Sequence, residues 1–252
     1  MVEIIFGAVI VAFILAFMDN TVGMGYGTAL TAVLLIMGFE PLVAVPAILF
    51  SGAINGIFVA FAHHAIGNVN FKWGKRHLNI VFALITFSLI GIIISLFAAI
   101  SLSADYIKMY IGLIIVIMGI LTFMQHKFKI KFAWWKLILI GSFASFNKTL
   151  TGGGYGPLVT SGQILSGVKS KKAVPTTALS ESFISLLAVM AYLSIGIFVN
   201  INLFLSLLIG ALLSVPFAAI FVKKVESKDL TRIIGIATAL LGTYTLFYIL
   251  GV

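Results

Sequence analysis

Apolar residues fill this chain in ten runs separated by short polar stretches. The runs cover roughly residues 4–18, 24–37, 42–62, 78–99, 106–124, 136–147, 154–166, 174–196, 202–222 and 233–250. Each run predicts a helix, and a chain of such helices is an all-α polytopic membrane protein. Five runs fall in each half, and the first two of each half are short. As a helix, residues 4–18 would reach about 22 Å, against a hydrocarbon core of about 30 Å. Spanning and re-entrant arrangements of each short pair both keep the parity of everything downstream.

The short runs are interrupted by glycine. Thr149 to Pro157 reads TLTGGGYGP, and Asn20 to Thr28 reads NTVGMGYGT, 129 positions earlier. Glycine weakens a helix and frees backbone N–H groups. A membrane interior tolerates free backbone only where protein or a water-filled cavity satisfies it. At the same offset Gly23, Gly25, Tyr26 and Gly27 align with Gly152, Gly154, Tyr155 and Gly156. Ala44-Val45-Pro46 aligns with Ala173-Val174-Pro175, and Ser51 with Ser180. With small gaps, Gly91 and Ser95 match Gly210 and Ser214, and Gly112 and Gly119 match Gly235 and Gly242. Matches in one order across a whole half predict two repeats, residues 1–126 and 127–252, forming one transmembrane domain. An odd number of segments per half inverts the second repeat, and paired breaks in inverted repeats mark a transporter's binding site.

Composition agrees with a membrane protein. Hydrophobic residues make up 62% of the chain and charged ones 9%, where soluble domains carry about 25% charged residues. The net charge of +9 reads as topology rather than nucleic-acid binding. Fourteen of the sixteen basic residues lie in four alternate loops, after segments three, five, seven and nine. The positive-inside rule makes those loops cytoplasmic and puts both termini outside. The start of the chain lacks the basic residues and cleavage site of a signal peptide and is expected to stay attached. With no cysteine, disulfides, thiolate nucleophiles and Cys-based metal sites are excluded.

Unpaired N–H groups at a helix N-terminus, reached past glycine, favour an anion. Candidate substrate contacts are therefore Gly23, Gly25, Tyr26 and Gly27 in the first break, and Gly152, Gly153, Gly154, Tyr155 and Gly156 in the second. Asn20, Thr21, Thr149 and Thr151 add polar donors. Ser51 and Asn55 in the first repeat and Ser180 in the second line the same expected cavity, with Ser182 beside it. Gly52 and Gly56, spaced as Gly-x-x-x-Gly, are assigned to helix packing. Asp19 and Lys148 are equivalent charges at the ends of short segments. They can pair with each other, snorkel to an interface, or act on substrate and proton. Glu181 is a carboxylate within a long apolar segment, so Asp19 and Glu181 are the proton-coupling candidates. His63, His64 and His77 flank a basic loop and predict no metal site, and Trp134-Trp135 suits an interfacial belt.

In these features the chain resembles the TauE/SafE sulfite exporter family. The resemblance runs through both halves, with the motif standing as Gly152-Gly153-Gly154-Tyr155-Gly156-Pro157 and as Gly23-Met24-Gly25-Tyr26-Gly27-Thr28. Met24, Asp19 and Lys148 depart from it. The resemblance implies a secondary transporter of sulfite, sulfonates or sulfoacetate-like anions in the cytoplasmic membrane, driven by an ion gradient. The expected partners are a small anion and the lipid bilayer, with a homodimer left open, no nucleic acid and no cofactor. The alternatives are an ion channel and a membrane-embedded enzyme. TVGMGYG from Thr21 resembles a potassium filter, but two inverted, unequal copies cannot build a four-fold ring. Gly-x-Ser-x-Gly with a His, paired Asp residues and His-Glu-x-x-His are all missing from the sequence.

Overall fold

A computed structural model describes residues 3–23, 25–71, 76–124, 134–165, 168 and 170–224. In the tenth segment it describes 236, 239–240, 242–244 and 246–247. The described residues form helices α1 (Phe6–Val22), α2 (Tyr26–Ile36), α3 (Pro41–Ala65), α4 (Arg76–Ser101), α5 (Ala104–Met124), α6 (Trp134–Thr151), α7 (Tyr155–Leu165), α8 (Ser170–Ser194) and α9 (Ile201–Lys224). There is no strand among them. The described positions of the tenth segment are helical and pack on α5, where Gly119 meets Ala239 and Gly242 meets Val116. Within α3, α4, α5, α8 and α9 lie stretches long and apolar enough to cross a bilayer, so the chain is an integral membrane protein. The basic stretches around Lys72, Lys127–Lys131 and Lys228–Arg232 lie outside the described residues.

Large apolar side chains on the outer surface, such as Phe61, Phe97, Leu213 and Phe217, are more than half exposed. In water that would be costly, but against lipid it is the expected arrangement. The interior mixes buried leucine, isoleucine and valine with alanine, glycine and hydroxyl side chains, and the small residues let helix backbones approach closely. Gly91 brings α4 onto the α6 backbone at Ser142, and Gly210 brings α9 onto the α1 backbone at Val9. Gly91 and Gly210 are matched in the two halves, and each closes on the first helix of the opposite half. α3 and α8 pack on each other at the centre, and each carries an internal proline, Pro46 and Pro175, at matched positions.

α1 and α2 stay short because the chain turns at glycine. Gly23 is left-handed, with φ 79° and ψ 27°, and caps α1. Gly25, with φ 125°, then starts α2. In the second half Gly152 and Gly154 do the same, with φ 75° and 80°. An L-residue rarely adopts these angles, so the glycines end α1 and α6 and start α2 and α7.

Candidate functional site

Each break exposes carbonyls at the end of a short helix, and the opposite half satisfies them. Thr31 in α2 donates to the Thr151 carbonyl at 2.7 Å. Its counterpart Thr160 in α7 donates to the Gly23 carbonyl at 2.8 Å. The long central helices contribute as well. Tyr192 of α8 donates to the Thr149 carbonyl at 2.9 Å, and His63, at the matched position of α3, lies against the Asn20 backbone. His63 is fully buried and its Nδ1 meets Asn68 Nδ2 at 3.2 Å. Sequence reasoning placed it in an interfacial loop. His63 and His64 are adjacent, and only the roughly 100° step around the helix turns one of them inward.

The two glycine clusters meet tip to tip. A Cβ on Gly27 would strike the Gly152 carbonyl, and one on Gly153 would strike Thr28. Several freed amides are already taken. The Gly154 N–H donates to Thr28 Oγ1 at 2.9 Å and the Gly153 N–H to Thr151 Oγ1 at 3.2 Å. The Tyr26 N–H faces the Asp19 carboxylate. Thr21 bonds back to the Met18 carbonyl and Thr151 to the Asn147 carbonyl. Gly156 is buried in the first turn of α7. Ser51 and Ser180 anchor the two motif tyrosines: Tyr26 Oη lies 2.8 Å from Ser51 Oγ and Tyr155 Oη 3.0 Å from Ser180 Oγ. Thr149 Oγ1 is buried without a hydrogen-bond partner among the described residues.

Beside the tips lies a small cavity of about 20 Å³. Asp19, Asn20, Tyr26, Asn55, Lys148 and Glu181 line it, together with Gly52, Gly56 and Ala178. Six of the candidate residues therefore converge, drawn from α1, α2, α3, α6 and α8. Gly52 and Glu181 sit at the middles of α3 and α8, which is where transporter sites lie.

The charges pair differently from the sequence expectation. Lys148, 1% exposed, holds Glu181 at 2.7 Å, so its ion-pair partner is Glu181 rather than Asp19. Asp19 lies on the same cavity wall and interacts with both. A buried ion pair repays its desolvation only with close geometry and further hydrogen bonds, and 2.7 Å supplies the first. The polar wall continues through Asn20, whose Nδ2 donates to Ser214 Oγ at 2.9 Å and whose Oδ1 accepts from Asn55 Nδ2 at 3.1 Å. Asn55 Oδ1 has no hydrogen-bond partner among the described residues.

The assignment of both Gly52 and Gly56 to packing is corrected in part. A methyl on Gly56 would strike Ser182 Oγ and lie 2.7 Å from the Ala178 carbonyl, so α3 and α8 close on each other there. One on Gly52 would meet nothing nearer than Tyr26 Cε1 at 3.8 Å and Lys148 Nζ at 3.9 Å. Gly52 is therefore cavity wall.

The family model described as "Sulfite exporter TauE/SafE" matches residues 8–245. A relative from Bacillus subtilis (strain 168), "Probable membrane transporter protein YtnM", is 28% identical over 231 residues. That match covers 86% of this chain and 74% of the relative.

Proposed function

This chain belongs to the TauE/SafE sulfite exporter family, and from that premise we propose that it is a secondary transporter of small sulfur-containing anions across the cytoplasmic membrane. Sulfite, sulfonates and sulfoacetate-like anions form the substrate class. The observation that carries the reading is Lys148, a buried ammonium paired with Glu181 beside a second carboxylate, Asp19. A cation is the group that would recognise a small oxyanion away from water. Asn20, Asn55 and Tyr26 lie around it, and the glycine tips close one side.

Charge arithmetic gives the coupling. With both carboxylates ionised, the three groups carry a net charge of −1. Binding one monovalent anion while Asp19 takes up one proton leaves that charge unchanged. Uncompensated charge is expensive at membrane depth, so anion and proton travel together. Lys148 then shares its N–H donors between Glu181 and the anion. A cavity of about 20 Å³ holds roughly one water molecule. This is a closed state, and admitting the anion requires the tips to move from the α3–α8 centre.

In this reading residues 1–126 and 127–252 are inverted repeats of five segments, with both termini outside. The Tyr26–Ser51 and Tyr155–Ser180 pairs, matched at an offset of 129, support two repeats. The gathering of fourteen basic residues in four alternate loops supports the orientation.

Proteoliposomes test the function. A sulfite and sulfonate panel should show saturable uptake that an inward proton gradient accelerates. Asp19→Asn should retain downhill uptake and lose the response to the gradient. Wild-type liposomes indistinguishable from empty ones across the panel would remove the substrate class. A gradient response retained in Asp19→Asn would remove Asp19 from coupling.

A further inference from the structure

Gly52 and Glu181 stand at matched positions, 129 apart, at the middles of α3 and α8. In the second half that position carries a carboxylate that reaches Lys148. In the first half it carries only hydrogen. Helix packing does not require this, because a Cβ there would make only ordinary contacts, at 3.8 Å to Tyr26 Cε1 and 3.9 Å to Lys148 Nζ. Gly56, one turn later, is the contrast, since its missing side chain is what lets α3 and α8 touch.

The space over Gly52 therefore has a defined chemistry. One wall is the ammonium of Lys148. That group has three N–H donors, and Glu181 Oε1 accounts for one of them. The other wall is the edge of the Tyr26 ring, whose hydrogens carry partial positive charge. The Tyr26 hydroxyl is turned away to Ser51. A cation and a ring edge together suit a compact oxyanion head group.

We propose that Gly52 is the specificity-determining position of the anion site. Its missing side chain keeps the wall facing Lys148 clear, so that when the tips open to admit the anion this position limits the size of sulfonate-type head group that can reach the ammonium. This deepens the transporter reading of the same cavity and rests on it for the substrate class.

The chain has no cysteine, so Gly52→Cys introduces the sole thiol. The measurement compares its modification by anionic sulfonatoethyl methanethiosulfonate and by the cationic trimethylammonium analogue in proteoliposomes. With Asp19→Asn in the same background, so that the carboxylates no longer outnumber Lys148, the anionic reagent should react roughly 10-fold faster or more. Lys148→Gln in the same background should abolish that preference, and methanesulfonate should slow the reaction. Equal rates for the two reagents with Lys148 present, or an unreactive thiol, would overturn the proposal. Anionic preference that depends on Lys148 without protection by methanesulfonate would uphold Gly52 as anion-site wall and remove the sulfonate reading instead. If the cysteine variant fails to fold, Gly52→Ala carries the test. One added methyl should lower uptake of methanesulfonate relative to sulfite about 10-fold, and an unchanged ratio would overturn the proposal.

Discussion

The two halves of this chain share a framework and differ at its centre. Tyr26 with Ser51 repeats as Tyr155 with Ser180, and Thr31 to the Thr151 carbonyl repeats as Thr160 to the Gly23 carbonyl. All of these tie down backbone or buried hydroxyls that a bilayer interior would leave without partners. Around the cavity the matched residues part company. Asp19 faces Lys148 in the alignment, Gly52 faces Glu181, and Asn55 faces Ile184. Bonds required by the broken helices are duplicated, whereas the groups able to hold an anion or a proton are not. A transporter needs that combination, a symmetric frame that can rock and an asymmetric site that recognises one ligand.

The largest expected effect breaks the centre. Lys148→Met strands the Glu181 carboxylate and should cost about 3–5 kcal/mol of stability, with uptake at background. Adding Glu181→Gln should recover most of the melting temperature and none of the transport. A double variant no more stable than the single one would show that the pair is not what distinguishes the halves.

Next comes the contrast along α3. Gly56→Ala forces α3 off α8 at Ser182 and Ala178 and should cost up to about 3 kcal/mol. Gly52→Ala should leave the melt unchanged or raise it, since alanine is the better helix former by about 1 kcal/mol. Equal losses would erase the distinction between packing and cavity wall.

The framework itself is tested by smaller effects. Thr31→Val and Thr160→Val each remove the hydroxyl that serves the opposite break, and each should cost about 1–2 kcal/mol. Similar losses sharpen the equivalence of the halves, and a marked imbalance breaks it. Tyr26→Phe and Tyr155→Phe should each cost about 1 kcal/mol or less, again as a matched pair, read as thermal melts in detergent.

Much of this frame was legible in the sequence. Among the described residues the apolar runs located nine helices to within a few residues, and the glycine clusters located both breaks. Those signals are local, because the period of apolar residues and left-handed glycines act within a turn or two. The partner of Lys148 was not legible, since Glu181 lies 33 positions away and meets it only through the packing of α6 against α8. Gly52 and Gly56 look alike in sequence. Their opposite roles depend on how α3 is rotated against α8. The freed amides were assigned to a ligand because only the structure shows Thr28, Thr151 and Asp19 beside them.

The crossed threonine bonds also bear on how the protein is made. The Gly23 carbonyl enters the membrane with its half, yet its partner Thr160 is synthesised 137 residues later. At about 5–20 residues per second, the first break waits on the order of 10 s for that bond. The face of α1 that packs on α9 waits longer still. Throughout that interval the nascent first half presents an open backbone group inside the bilayer. A chain truncated before α7 should therefore be cleared rather than accumulate, which a pulse-chase of the truncated chain would measure.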